Sequence, residues 1–194
     1  MSCSTAALSA AAVLVSSVLS ERLMVYPLTI QPYRMIWKGS CKPQDLPETV
    51  AREMSEAQRD VLGYWYRLKP VQGLPARSRF DPLEVWTRVA SIVLLQVLGD
   101  GEDIVFRLVG QDFAERAGSN LRGVRLSTVG NPDEVPQIQD AVKDMIRDPR
   151  PVLSAGSLST FDRGHVGYRR LAVAFAEQDG GPVAHILCCY AFES

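Results

Sequence analysis

Val50, Met54, Ala57, Val61, Trp65 and Leu68 recur at intervals of four, three, four, four and three residues. That spacing predicts an amphipathic helix over 47–69 with a single apolar face. Asp45 and Glu48 stand in capping-box spacing, with Pro47 near the first turn, and Pro70 and Gly73 end the run. Arg52, Glu56, Arg59 and Asp60 fall off the stripe. A second start signal, Asp81-Pro82-Leu83-Glu84, opens a short helix with Leu83, Trp86 and Ala90 on one face. The pattern then changes to SIVLLQVL, turns at Gly99-Asp100-Gly101 and continues as DIVFRLVG, which predicts a β-hairpin over 91–110. QDFAERAG reads as a short helix closed by Gly118, and 119–130 as irregular, Gly-punctuated chain. Pro132 to Arg147 reads as a helix with Val135, Ile138, Val142 and Met145 on one side, stopped by Pro149 and Pro151. Three strands follow, at about 152–161, 166–177 and 183–192.

Strands joined by tight turns within each group must pair antiparallel, because parallel neighbours need crossover elements. The expected class is α+β: a five-stranded antiparallel sheet with helices on one face and the 47–69 helix flanking it at the N-terminal side. That helix must cover part of the other sheet face or pair with a second copy. Residues 45–194 form the expected domain. Residues 1–44 are set apart as an N-terminal extension, in which 24–44, with three prolines and no sustained period, reads as an extended connector.

Residues 1–20 carry no charged side chain and are rich in Ala, Ser, Val and Leu. They lack the basic start of a secretory signal and are too diluted by Ser to make a membrane span. The expectation is a poorly ordered or misassigned start, with Met24 and Met35 as later initiation points. The alternatives are a weak signal or membrane-associated segment, or a short packed helix. The domain itself is expected to be cytoplasmic, with membrane association disfavoured.

The chain has 194 residues, 46% hydrophobic and 22% charged, with a net charge of −1. Such a composition excludes disorder and gives no whole-molecule electrostatic case for nucleic acid. Arg22, Arg34, Lys38 and Lys42 stand against Glu21 alone in 1–44, so the remainder is mildly acidic. Cys3, Cys41, Cys188 and Cys189 form no C-x-x-C pair. His185 with Cys188 and Cys189 superficially offers three metal ligands. Strand alternation puts His185 and Cys189 on one face and Cys188 on the other, so a buried strand is expected and no metal site. No P-loop, G-x-S-x-G, H-E-x-x-H or dinucleotide fingerprint occurs, Asp112 and Glu115 have the spacing of a solvated helix face, and no catalytic residue is assigned.

The order of elements, together with several short motifs, resembles the PAS family. The motifs are Tyr64-Trp65, Gly73-Leu74-Pro75 with Arg77, Asp81-Pro82, Phe106-Arg107-Leu108-x-Gly110, Gly118-x-x-Leu121-x-Gly123-x-x-Leu126 and Tyr168-Arg169-Arg170-Leu171. They span about 60–192 and resemble most the small bacterial proteins in which this domain is nearly the whole chain. The resemblance implies a sensory or interaction module, some members of which hold a small molecule between the sheet and the middle helices. It does not transmit the ligand. Gly118-Ser119-Asn120-Leu121-Arg122-Gly123-Val124 aligns with the segment that carries the reactive Cys of flavin-binding light sensors, and Leu121 stands at that Cys position. Residues 132–148 contain no His, where haem-binding relatives commonly place their ligand. Both modes are therefore disfavoured, and the cofactor is unknown.

The functional expectation is a non-enzymatic sensory or regulatory module that binds a small ligand and signals through protein contacts, to an unknown signalling partner or a second copy. The alternative is a ligand-free interaction or dimerisation module. Expected pocket-lining residues are Phe106, Phe113, Val142, Met145, Tyr168 and Phe175. The expected interaction helix presents Val50, Met54, Val61, Trp65 and Leu68. Aromatics at such positions, Trp65, Trp86 and Phe161 among them, more often serve as core filling. Arg163, Arg169 and Arg170 with His165 read first as a solvated turn and strand face, and otherwise as a patch for an acidic partner or phosphate.

Overall fold

The computed structural model describes residues 33–193. The expectations placed on 1–32, including the uncharged start and Cys3, lie outside the described residues. A six-stranded, wholly antiparallel sheet organises the chain, in the order β1-β4-β5-β6-β2-β3. The strands are β1 (Tyr33–Lys38), β2 (Ile92–Leu98), β3 (Asp103–Val109), β4 (Val152–Leu158), β5 (Arg163–Ala176) and β6 (Val183–Phe192). The helices are α1 (Glu48–Glu53), α2 (Glu56–Leu68), α3 (Gln111–Ala117), α4 (Leu126–Val129) and α5 (Val135–Arg147). β6 joins the two halves of the sheet, pairing with β5 on one side and β2 on the other.

Four expectations are corrected. The sheet has a sixth strand, because Tyr33–Lys38, read as a connector within the extension, pairs with β4 and would otherwise leave its edge amides open. The helix over 47–69 is two helices. Ser55 is in extended conformation and accepts a hydrogen bond from Gln58 N (3.2 Å), while Gln58 Oε1 accepts from Ser55 N (3.0 Å). That reciprocal cap starts a new helix. Asp45, expected to cap, belongs to a separate 3-10 turn, and no side chain caps α1. The segment Pro82–Ser91 is 3-10 and kinked at Val85, with Asp81 capping Leu83 N at 2.9 Å. Leu83, placed on its apolar face, is 72% exposed, and the Trp86 side chain lies outside the described ones.

Helices cover both faces of the sheet, the 47–69 segment taking the face opposite the middle helices. Val50, Met54, Val61 and Trp65 are buried and Leu68 is half-buried, packed into the same hydrophobic core as β5 and β6. The face expected to dock a partner is thus occupied by the chain's own sheet. Gln58 of α2 is fully buried and donates to the carbonyls of Arg169 (2.9 Å) and Cys189 (3.1 Å). Trp65 donates its indole N–H to Ala174 O at 2.8 Å. α5, α3 and the chain between them lie over the opposite face, where Val142, Met145, Phe113 and Leu126 are buried. A buried polar donor held by a backbone acceptor fixes a helix more narrowly than apolar contact does, because an unmatched position leaves polar groups unpaired.

Candidate functional site

The motifs that carry the family resemblance resolve largely into structural ties. Tyr64 Oη accepts from Asp81 N at 2.9 Å, so the Tyr64-Trp65 pair holds the following loop with one ring and the sheet with the other. Gly73-Leu74-Pro75 docks on the β5–β6 turn. Gly180 N donates to Leu74 O at 2.8 Å, Ala176 N to Pro75 O at 3.0 Å, and Ala76 N to Asp179 Oδ1 at 2.8 Å. Gly73 has φ +77, and a Cβ there would lie 2.5 Å from Gly180 Cα. Leu121 is buried in the core, and Asn120 closes its own turn by accepting from Arg122 N at 3.1 Å.

The site lies on the other face, between the sheet and α5. Alternation along β5 sends Tyr168, Arg170 and Ala172 to this side, and β6 adds Ile186 and Cys188. α5 closes the space with Ile138, Ala141, Val142 and Met145, and Tyr33 of β1 borders it. The result is a cavity of about 60 Å³. A second cavity of about 40 Å³ lies toward α3, lined by Phe106, Phe113, Phe161 and Tyr190. Leu95, Ile138, Thr160, Tyr168 and Arg170 line both cavities.

Of the expected lining residues, Val142, Met145 and Tyr168 border the larger cavity, and Phe106, Phe113 and Tyr168 the smaller. Phe175 does not belong with them. It stands an odd number of residues from Tyr168, points to the α2 side and meets Phe80 edge-on at 6.0 Å. Parity along the strand was the available signal.

The arginine cluster also divides. Arg169 faces the α2 layer and pairs with Glu53 at 3.1 Å, and Arg163 approaches Gly118 at the C-terminal end of α3. His165 is exposed. Arg170, expected on a solvated face, turns into the cavity instead. Its Nε is shut off from solvent and has no hydrogen-bond partner among the described residues. It stands opposite Tyr190 across β5 and β6, and its guanidinium lies 5.5 Å from the Tyr33 ring centroid. Burial pushes the phenols of Tyr168 and Tyr190 upward from their ordinary value, so both are neutral near pH 7 and supply no counter-charge. Glu134, at the start of α5, lines the larger cavity, but its Oε2 accepts from Ser159 Oγ and Thr160 Oγ1, each at 2.7 Å.

Burial likewise raises the thiols of Cys188 and of Cys189, the latter to about 12, so neither is a thiolate near neutrality. Cys188 lines the cavity, and no group of three or more His, Cys, Asp or Glu side chains among the described residues could hold a metal ion. No helix among those residues is long and apolar enough to cross a membrane.

The geometry is that of a sheet with a small, mostly apolar hollow under its middle helices, bordered by the part-buried Arg170. A comparison with protein families agrees: the model of the PAS domain matches residues 53–190, more than half of the chain. No curated protein and no solved structure is matched. With the sheet, the middle helices and the family match in agreement, the chain belongs to the PAS-domain family.

Proposed function

We propose that this protein is a sensory or regulatory module that takes a small ligand between its sheet and α5 and passes the change to another protein or to a second copy of itself. The observation that carries this reading is the cavity bordered by α5, β5 and β6, apolar on most sides and bordered by a few polar groups, which is how small-molecule sites are commonly built. Ligand in that space favours one packing of the layers over another, and the population shifts accordingly. The proposal assigns no catalysis to the chain and places it in the cytoplasm. Native mass spectrometry and absorbance of the freshly purified full chain test it. An added mass or chromophore that leaves on denaturation is the expected result; an empty protein whose association is indifferent to added small molecules overturns it.

The second reading is a ligand-free interaction module. Val71 and Leu83, both strongly exposed aliphatic side chains beyond the end of α2, favour it. Under that reading Leu83→Asp weakens self-association or partner capture and leaves folding intact.

A further inference from the structure

Arg170 is the group on which the ligand's chemistry turns. A guanidinium keeps its charge at any physiological pH, so it cannot escape burial by losing a proton. Arg170 as a whole is part-buried, but its Nε lies away from solvent, and a buried charged group is costly unless it is paired and hydrogen-bonded. Other part-buried basic groups among the described residues have partners: Arg88 reaches Asp60 at 2.9 Å, Arg169 reaches Glu53 at 3.1 Å and Lys38 reaches Asp148 at 3.2 Å, while Arg59 and Arg77 donate to backbone carbonyls. Arg170 has no carboxylate within 4.0 Å among the described residues, although Glu134 lines the same cavity and is engaged by two hydroxyls. The cavity it borders is mostly aromatic and apolar, with Tyr33, Tyr168, Ala172, Ile186 and Val142; Gln137 and Thr160 add polar groups, and the guanidinium hydrogen-bonds the Tyr190 hydroxyl while its Nε stays unpartnered.

Resting on the ligand-binding reading above, we infer that the cavity takes a short-chain monocarboxylate, its carboxylate received by the Arg170 guanidinium and its alkyl body lying against α5. The anion supplies the missing partner, and a charge-assisted, bidentate pairing is the interaction for which a guanidinium is shaped. One cation calls for one negative charge. A dianion such as phosphate would bring a second negative charge beside the Glu134 carboxylate, which repels it. Size sets the chain length. A dry cavity of ~150 Å³ holds benzene, and the two cavities here, about 60 and 40 Å³, together fall below that. An acid of about two to five carbons is the match. Ile138, Val142 and Met145, spaced for one face of α5, and Ile186 on β6 give the alkyl end apolar contact and no hydrogen-bond donor. Tyr168, which lines both cavities, and Tyr190, which lines the smaller, are neutral and bring hydroxyl donors to the same space.

The test uses the full chain at about pH 8, where the phosphate dianion predominates and butyrate is fully ionised, at constant ionic strength. Sodium butyrate is titrated calorimetrically, with butyramide as the neutral isostere and sodium phosphate as the dianion-rich control. Butyrate is expected to bind about tenfold or more tightly than either, and Arg170→Gln to remove that preference. Because a variant at a buried site can misfold, the wild-type Arg170 Nε–Hε resonance is followed in parallel. It is expected to shift with butyrate and to stay in place with butyramide. Equal binding of butyrate and butyramide overturns the carboxylate assignment and leaves the ligand-binding reading standing, as does an uncharged molecule found by native mass spectrometry. Phosphate binding as tightly as butyrate overturns the monoanion assignment. No binding of butyrate, with the Arg170 resonance unmoved, overturns the inference, and an empty, ligand-indifferent protein overturns both.

Discussion

The Gln58 side chain of α2 reaches across to β6 and donates to the carbonyl of Cys189 at 3.1 Å, from a position with no solvent exposure. The same amide donates to Arg169 O on β5 at 2.9 Å, so one side chain binds two strands to one helix. Gln58→Leu keeps the volume and removes both donated bonds together with the one that its Oε1 accepts from Ser55 N. Urea unfolding is expected to show a loss of roughly 2–4 kcal/mol. A loss below about 0.5 kcal/mol would show that water replaces the amide at no cost.

Trp65 separates packing from hydrogen bonding. It is 1% exposed and donates to Ala174 O at 2.8 Å. Trp65→Phe is expected to fold with a loss of roughly 1–3 kcal/mol, from the missing donor and the smaller ring. Trp65→Asp places an unpaired carboxylate in the core and is expected to abolish the cooperative thermal transition. A Trp65→Asp protein that melts cooperatively at the wild-type temperature would refute the burial of this face.

Two glycine substitutions are expected to act in opposite directions. At Gly63, in the body of α2, a Cβ meets nothing nearer than Pro43 Cγ at 3.5 Å. Gly63→Ala therefore gains about 0.5–1 kcal/mol of stability from helix propensity. At Gly73 the positive φ and the 2.5 Å approach to the Gly180 backbone both oppose a side chain. Gly73→Ala is expected to lower the melting temperature, and the pair measured side by side provides its own control.

His185 makes stability depend on pH. Burial lowers its pKa, with Arg77 and Arg107 acting in the same direction and Glu177, 3.7 Å away, acting against them. The native state thus holds His185 neutral where the unfolded chain, titrating near ~6.5, already binds a proton. The unfolded state then carries more protons, so stability falls as pH drops below about 6.5 and levels off beneath the native value. His185→Gln is expected to lose less melting temperature than wild type between pH 7.5 and 5.5. Parallel losses in the two proteins would remove His185 as the source.

The elements most legible in the sequence were those whose local signals agree. β6 runs from Val183 to Phe192 as its apolar run and flanking turn chemistry predict, and α3 ends at Gly118, which adopts φ +79. The break between α1 and α2 was hidden because the apolar stripe keeps helical spacing through Met54, and only the Ser55–Gln58 cap interrupts it. Gln58 was overlooked because a polar residue on an apolar stripe gives no sign of which distant carbonyls await it. β1 has no alternation of its own and is a strand because β4 has an open edge. At the site, Val142 and Met145 follow from helical spacing and Phe175 misleads by parity. Arg170 was obscured by its neighbours: a run of arginines beside a turn looks solvated until strand alternation sends alternate side chains to opposite layers.

The Arg169 carbonyl that Gln58 grips belongs to the peptide plane joining Arg169 to Arg170. A single rigid amide therefore has the cavity's cation attached at one end and the α2 layer fastened to its oxygen. Any tug on the guanidinium that rocks this plane must stretch or re-aim the Gln58 bond, with no chain of intervening side chains to absorb it. The partition between the two layers of the domain is, at this point, one peptide unit thick.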